Sequence, residues 1–314
     1  MEEAISVYKY DMDTLWLTKP TLAYADWQDR EAAGANQRRF AARSIVQHRA
    51  MFEHFYRHLL TVGSALTSFG PDHIETFWKS AEAAAYCDAT RMRYIKLLDR
   101  LCRHLVAIGV RGSNPAAELA RTAQWPQDEP APIYLPEDAD IRLQVYVQPN
   151  NEDDLPALRS RAIVALFLGT GVSASEGRAA TIDALRTTGR RPYLHVDAHG
   201  PRPARTAHLP TFAVPILASW KARRMTLPIH GDLLFALRPT GRPITDMSLG
   251  LVVRRALENI DFEAEDMSPR ILRNTYGRRL LLAGVARDEV SRRLGLVSNR
   301  TVDRIAATIS AATS

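Results

Sequence analysis

Residues 268–285, SPRILRNTYGRRLLLAGV, constrain the chain more than any other stretch. Ser268 is placed to accept from the first-turn amides, Pro269 suits the first helical position, and Gly284 stands where the chain must leave the helix. Leu272, Tyr276, Leu280 and Leu281 recur at i, i+4, i+8 and i+9, which predicts one apolar face buried in a core. Arg270, Arg273, Arg278 and Arg279 are spread over the remainder, with Asn274 and Thr275 between them. So basic a surface suits a phosphate backbone.

The rest of the composition fits that partner. The net charge is +6, and most of the 41 basic residues are arginine, whose fork matches phosphate and guanine. With 314 residues, 46% of them hydrophobic, the chain can bury two cores. The longest apolar run, Ala162 to Leu168, is too short to span a bilayer. The opening MEEAISVYKYD is acidic and lacks signal-peptide order, so a cytoplasmic, nucleoid- or plasmid-associated protein is expected, with no membrane partner. Cys87 and Cys102 form neither a CxxC nor a Cys/His cluster, and no metal or other cofactor is expected.

Along the chain, residues 1–35 read as an N-terminal arm with a short helix near 24–32. Residues 36–121 read as a helical domain. One helix runs from Asn36 to Thr61, with Ile45, Phe52, Phe55, Tyr56 and Leu59 in a stripe and Arg43 and His48 near its start. A second covers 72–83. A third follows Asp88-Ala89-Thr90, burying Tyr94, Leu97, Leu98, Leu101 and Leu105 and leaving Arg91, Arg93 and Lys96 off the stripe. Solvated arginines on a generic helical domain would give the same pattern. Residues 122–137 hold four prolines and no period, which reads as a linker. Residues 138–314 form a second domain, mostly helical, with short strands at 193–196 and 206–209.

The order of motifs resembles the tyrosine recombinases and phage integrases. Ser268, Pro269, Leu272, Arg273, Thr275, Leu280, Leu281, Ala283 and Gly284 match that family's S-P-H-x-L-R-H-T-F-A-T-x-L-L-x-A-G helix. Thr170, Gly171, Val172, Ser175 and Glu176 match its T-G-L-R-x-S-E turn, and Arg205 to Leu209 its R-x-V-P-L strand. Asn114 to Leu119 keeps its N-P-A-x-x-L. The resemblance spans roughly residues 36–309. It implies a mainly α (α+β) fold: a helical, SAM-like core-binding domain, a linker, and a mixed α/β catalytic-type domain with a small β-hairpin sheet. It also implies DNA contacts, for which Arg43, His48, Arg91, Arg93, Lys96, Arg202, Arg205, Arg270, Arg273 and Arg278 are the candidates.

The family's reaction needs an attacking tyrosine, two arginines on the scissile phosphate, and lysine and histidine groups for proton transfer and charge stabilisation. At the matching positions this chain has Ser173, Gly200, Arg270, Arg273, Leu296 and Ile305; only Arg273 keeps the family's residue. Leucine and isoleucine can neither attack phosphorus nor donate a proton. No tyrosine follows Tyr276 and no histidine follows His230.

The expectation is therefore a pseudo-recombinase: a protein that grips inverted half-sites of double-stranded DNA as an oligomer. It would serve as an accessory or architectural factor beside an active recombinase encoded nearby, in a mobile element or plasmid. Two other readings stay open at this level. One is a DNA-binding regulator of transcription or replication; the other is an active recombinase with a rearranged or shared site.

Overall fold

Two hydrophobic cores organise the chain, one within Met1–Glu129 and one within Pro130–Ser314. The structure, a computed structural model, describes residues 14–30, 32, 39–122, 130–199, 202–236 and 239–311. The arm over residues 1–13, all of 33–38, the first part of the expected linker and Gly200 lie outside the described residues.

The first unit is all helical among the described residues: α1 (Pro20–Arg30), α2 (Ala42–Thr61), α3 (Pro71–Lys79), α4 (Asp88–Ala107) and α5 (Ala117–Thr122). Phe52, Phe55 and Leu59 from α2 meet Ile74 and Phe77 of α3 and the Tyr94, Leu97, Leu98, Leu101 and Leu105 stripe of α4. Tyr24 of α1 stacks on Phe52 with ring centroids 4.0 Å apart. Ile45 and Tyr56, placed on the same stripe from sequence, are only half-buried. Helix α3 stops four residues before the expected end. The Ser80 hydroxyl accepts from the Ala83 amide at 3.3 Å, offering the backbone a turn that competes with helix through the following alanines. Arg111 ties down the segment between α2 and α3. It donates to the carbonyls of Leu66, Phe69 and Ser113 while lying 4.3 Å over the Phe69 ring.

The second unit is built around α7 (Leu155–Thr170), whose C-terminal half is apolar on all sides because neighbouring elements cover it: Ala162 through Thr170 are buried without exception. Asp154 caps its start by accepting from the Ala157 amide at 2.8 Å, and Gly171 ends it at φ 63°, in the left-handed region glycine tolerates. Around it lie α6 (Glu137–Tyr146), α8 (Ala174–Ala179), α9 (Val214–Met225), α10 (Asp246–Glu258), α11 (Pro269–Leu282), α12 (Arg287–Leu294) and α13 (Arg300–Ala311). A three-stranded antiparallel sheet runs β1 (Leu185–Arg186), β2 (Tyr193–Val196), β3 (Arg205–His208), with Tyr193 opposite His208 and Val196 opposite Arg205. The two-residue strand β1 is too short for any alternation to reveal it.

Helix α11 corrects one expectation. It is enclosed on more than the single apolar face read from its spacing. Ile271, Leu272, Asn274, Thr275 and Gly277 are its buried residues, while Tyr276, Leu280 and Leu281 are half-buried against Val290, Leu294 and Val302. The two buried polar residues are satisfied by the second half of the expected linker. Asn274 donates to the Ile133 carbonyl at 2.8 Å, and the Leu135 amide donates to Thr275 Oγ1 at 2.9 Å. Leu135 itself is fully buried, so residues 133–135 are part of the second unit's core layer rather than a free tether. None of the described helices is long and apolar enough to cross a membrane.

Candidate functional site

The α7–α8 turn gathers the groups at the centre of the second unit. Ser173 caps α8. Its hydroxyl accepts from the Glu176 amide at 3.4 Å, and its own amide donates to Glu176 Oε2 at 2.7 Å, the reciprocal pairing of a capping box. This holds the Glu176 carboxylate inside the unit. Arg205, from β3, forks onto it with Nη1–Oε1 at 2.7 Å and Nη2–Oε2 at 3.0 Å, and both side chains are under a tenth exposed. Burial opposes ionisation of Glu176. The Arg205 fork and the Ser173 amide outweigh it and hold the carboxyl at about 2.

Arg273 reaches the same place from α11. It donates to the Gly171 carbonyl at 2.5 Å and the Leu294 carbonyl at 2.6 Å, and its Nη1 lies 3.8 Å from Glu176 Oε2. Burial lowers its pKa to about 10, against the attraction of Glu176 and with the repulsion of Arg205 and Arg202. Arg205 also donates through Nε to the Arg293 carbonyl at 3.0 Å. Two guanidinium groups therefore fasten β3, α11 and the end of α12 to one turn, with Glu176 as their shared counter-charge.

The other positions that match the family's reactive groups are apolar or turned elsewhere. Leu296 is half-buried against the small cluster of Val290, Leu294 and Val302. Ile305, on α13, is fully buried, and a Cβ placed on Gly277 of α11 would meet its Cδ1 at 3.4 Å. Tyr276 packs beneath the turn, where a Cβ on Gly171 would come within 2.4 Å of its ring. Burial raises the pKa of its phenol. Helix α13 is further tied to its own unit. Tyr134 donates to Thr308 Oγ1 at 3.0 Å, and Arg304 donates to the Pro130 carbonyl.

The candidate DNA-contacting residues fall into two groups. Arg43, Arg93, Lys96 and Arg270 are exposed, with Lys96 donating to the Ala120 carbonyl at 3.0 Å. The others are engaged within the fold. Arg91 donates to the carbonyls of Tyr86 and Ala84, closing the turn before α4. His48 packs edge-on against Phe40, and burial together with Arg100 lowers its pKa to about 4, so it is uncharged at neutral pH. Arg278 lies 5.1 Å over the Tyr134 ring. Arg202 is half-buried and held by its backbone, which pairs with that of His199. Arg279 pairs with Asp140 at 2.7 Å and donates to the Leu168 carbonyl. That pair and the Arg205–Glu176 fork escape a sequence reading because their partners lie more than 25 residues apart. An acid at each helix start was the only hint.

A model of the phage integrase family matches residues 144–308, more than half of the chain, and the chain belongs to that family. No curated protein matches it in sequence. Several solved structures share its fold. XerH site-specific recombinase, in a post-cleavage complex with a palindromic difH substrate, superimposes with a TM-score of 0.72 at 15% identity, covering 94% of this chain and 84% of that one. The Tn1549 transposon integrase with a circular intermediate DNA gives 0.63 at 13%, covering 96% and 99%. A lambda integrase dimer on a core site gives 0.63 at 14%, covering 92% and 93%. The mainly helical fold with one small antiparallel sheet is thus the tyrosine-recombinase fold.

Proposed function

We propose that this chain binds double-stranded DNA and does not cut it. It serves as an accessory or architectural factor in site-specific recombination of a mobile element or plasmid, beside an active recombinase encoded nearby. The observation that carries the reading is the packing at the family's nucleophile position. Ile305 is fully buried against α11, and the half-buried Leu296 stands at the family's histidine position. The retained Arg273 supports it too, because both its terminal nitrogens donate to backbone carbonyls and Glu176 lies beside it. A scissile phosphate placed there would have to compete with a buried carboxylate. Charge, arginine content and membership of a family whose solved relatives hold DNA support the DNA partner. The chain would act as an oligomer on inverted half-sites, in the cytoplasm and associated with the nucleoid or a plasmid.

The test is footprinting of the purified protein on DNA flanking its own gene, with denaturing gels on the same samples. Paired short half-sites protected with no covalent adduct are the expected result. An adduct on nicked suicide substrates would overturn the non-cutting reading, and absence of any discrete protected site would overturn the sequence-specific one.

A further inference from the structure

Away from the Glu176 cluster, the far end of the sheet carries a groove of about 590 Å³. Its lining is mostly apolar, from Pro192, Leu209, Val214 and Pro215 with Thr211 among them. Its rim is basic. Arg190 and Arg191 stand exposed on the β1–β2 turn, opposite His208 at the end of β3. No acidic residue lines it, and among the described residues neither arginine forms an ion pair.

An apolar trough with an uncompensated cationic rim asks for a ligand with apolar or aromatic side chains and negative charge. A DNA backbone supplies the charge but not the apolar part, and it gains nothing from two prolines and two aliphatic side chains. One segment of this same chain has both. Residues 1–13, MEEAISVYKYDMD, carry Glu2, Glu3, Asp11 and Asp13 against the single cation Lys9, and interleave Ile5, Val7, Tyr8 and Tyr10. Thirteen residues span up to roughly 45 Å when extended, a length that exceeds what is needed to lay several of them along a groove of this size.

We propose that the groove bounded by Arg190, Arg191 and His208 receives residues 1–13 of a second copy of the chain. Tyrosine and aliphatic side chains would fill the trough, and the four carboxylates would face the arginine pair. The contact links protomers directly and does not rest on the DNA-binding reading, since it should form with no DNA present.

The experiment is sedimentation velocity of the full chain without DNA at low salt. Four proteins are compared: wild type, R190E/R191E on the groove, E2K/E3K on the arm, and all four substitutions together. Self-association of the wild type, weakened at least about fivefold by either charge reversal and restored when both are combined, is the expected pattern. A wild type that stays monomeric, or a combined variant no better than its parents, overturns the proposal. Fluorescence anisotropy of a labelled synthetic peptide of residues 1–13 gives a second readout on the same proteins. It should bind wild type and not R190E/R191E. Loss of DNA affinity in R190E/R191E with self-association and peptide binding unchanged would assign the groove to DNA instead.

Discussion

Replacing Glu176 by glutamine preserves the side chain's volume and one accepting oxygen but removes the negative charge that Arg205 and Arg273 share. In the wild type the carboxyl is held at about 2, against an ordinary 4.5. At about 1.36 kcal/mol per unit, that difference amounts to a contribution on the order of 3 kcal/mol at neutral pH. The range of about 3–5 kcal/mol for leaving one member of a buried pair uncompensated agrees. Because the folded-state pKa is depressed, this stability is fully present above about pH 4.5 and is lost as the pH falls towards 2. For a unit of this size roughly 2–4 °C accompanies each kcal/mol, so Glu176→Gln should lower the melting temperature by roughly 6–12 °C at pH 7. The gap between variant and wild type should narrow steadily below pH 4.5. Differential scanning calorimetry is the suitable assay, since two units with separate cores can melt separately. A variant within about 2 °C of wild type at pH 7, or a gap that does not shrink on acidification, would refute the assignment of Glu176 as the shared counter-charge.

Ile305→Ala should destabilise the second unit by about 2–5 kcal/mol, measured by urea denaturation, because the side chain is fully buried against α11. Gly171→Ala should cost more than the roughly 1 kcal/mol of a left-handed alanine, since its Cβ would also strike the Tyr276 ring; an unchanged urea midpoint would count against that contact. DNA affinity, followed by anisotropy, should fall by about 10³ to 10⁵ between 50 and 200 mM salt if 6–10 phosphates are contacted. Acidification from pH 7 towards 4 should progressively destabilise the first unit, because half-buried His48, its pKa lowered to about 4, stays neutral in the fold while the unfolded imidazole takes up a proton; His48→Phe should flatten that part of the profile.

How far the sequence reaches can be judged element by element. Helix α12 ends where Gly295 turns the chain at φ 64°, a stop that a glycine marks in sequence. The stripe of α4 was equally clear, since one face points to the core and the opposite one to solvent. Helix α11 misled for the reverse reason. Periodicity reports one buried face, but this helix lies between α7 on one side and α12 and α13 on the other, and its polar Asn274 and Thr275 are buried by bonding the 133–135 backbone. For the site, motif order singled out Ser173, Glu176, Arg205 and Arg273, which the fold brings to one turn. What they do to one another was not readable, because a guanidinium facing solvent and one locked to a distant carboxylate look identical in a sequence.

The locked turn also says where this protein should be fragile. A working phosphoryl-transfer centre keeps charges poised for a substrate and forgoes stability to do so. Here Glu176, Arg205 and Arg273 answer one another across three elements, so the same positions act as a keystone. In a saturation-mutagenesis screen scored by cellular abundance, substitutions at these three residues should rank among the most damaging of the second unit. Under the non-cutting function proposed above, the pattern that in an enzyme maps chemistry would here map architecture.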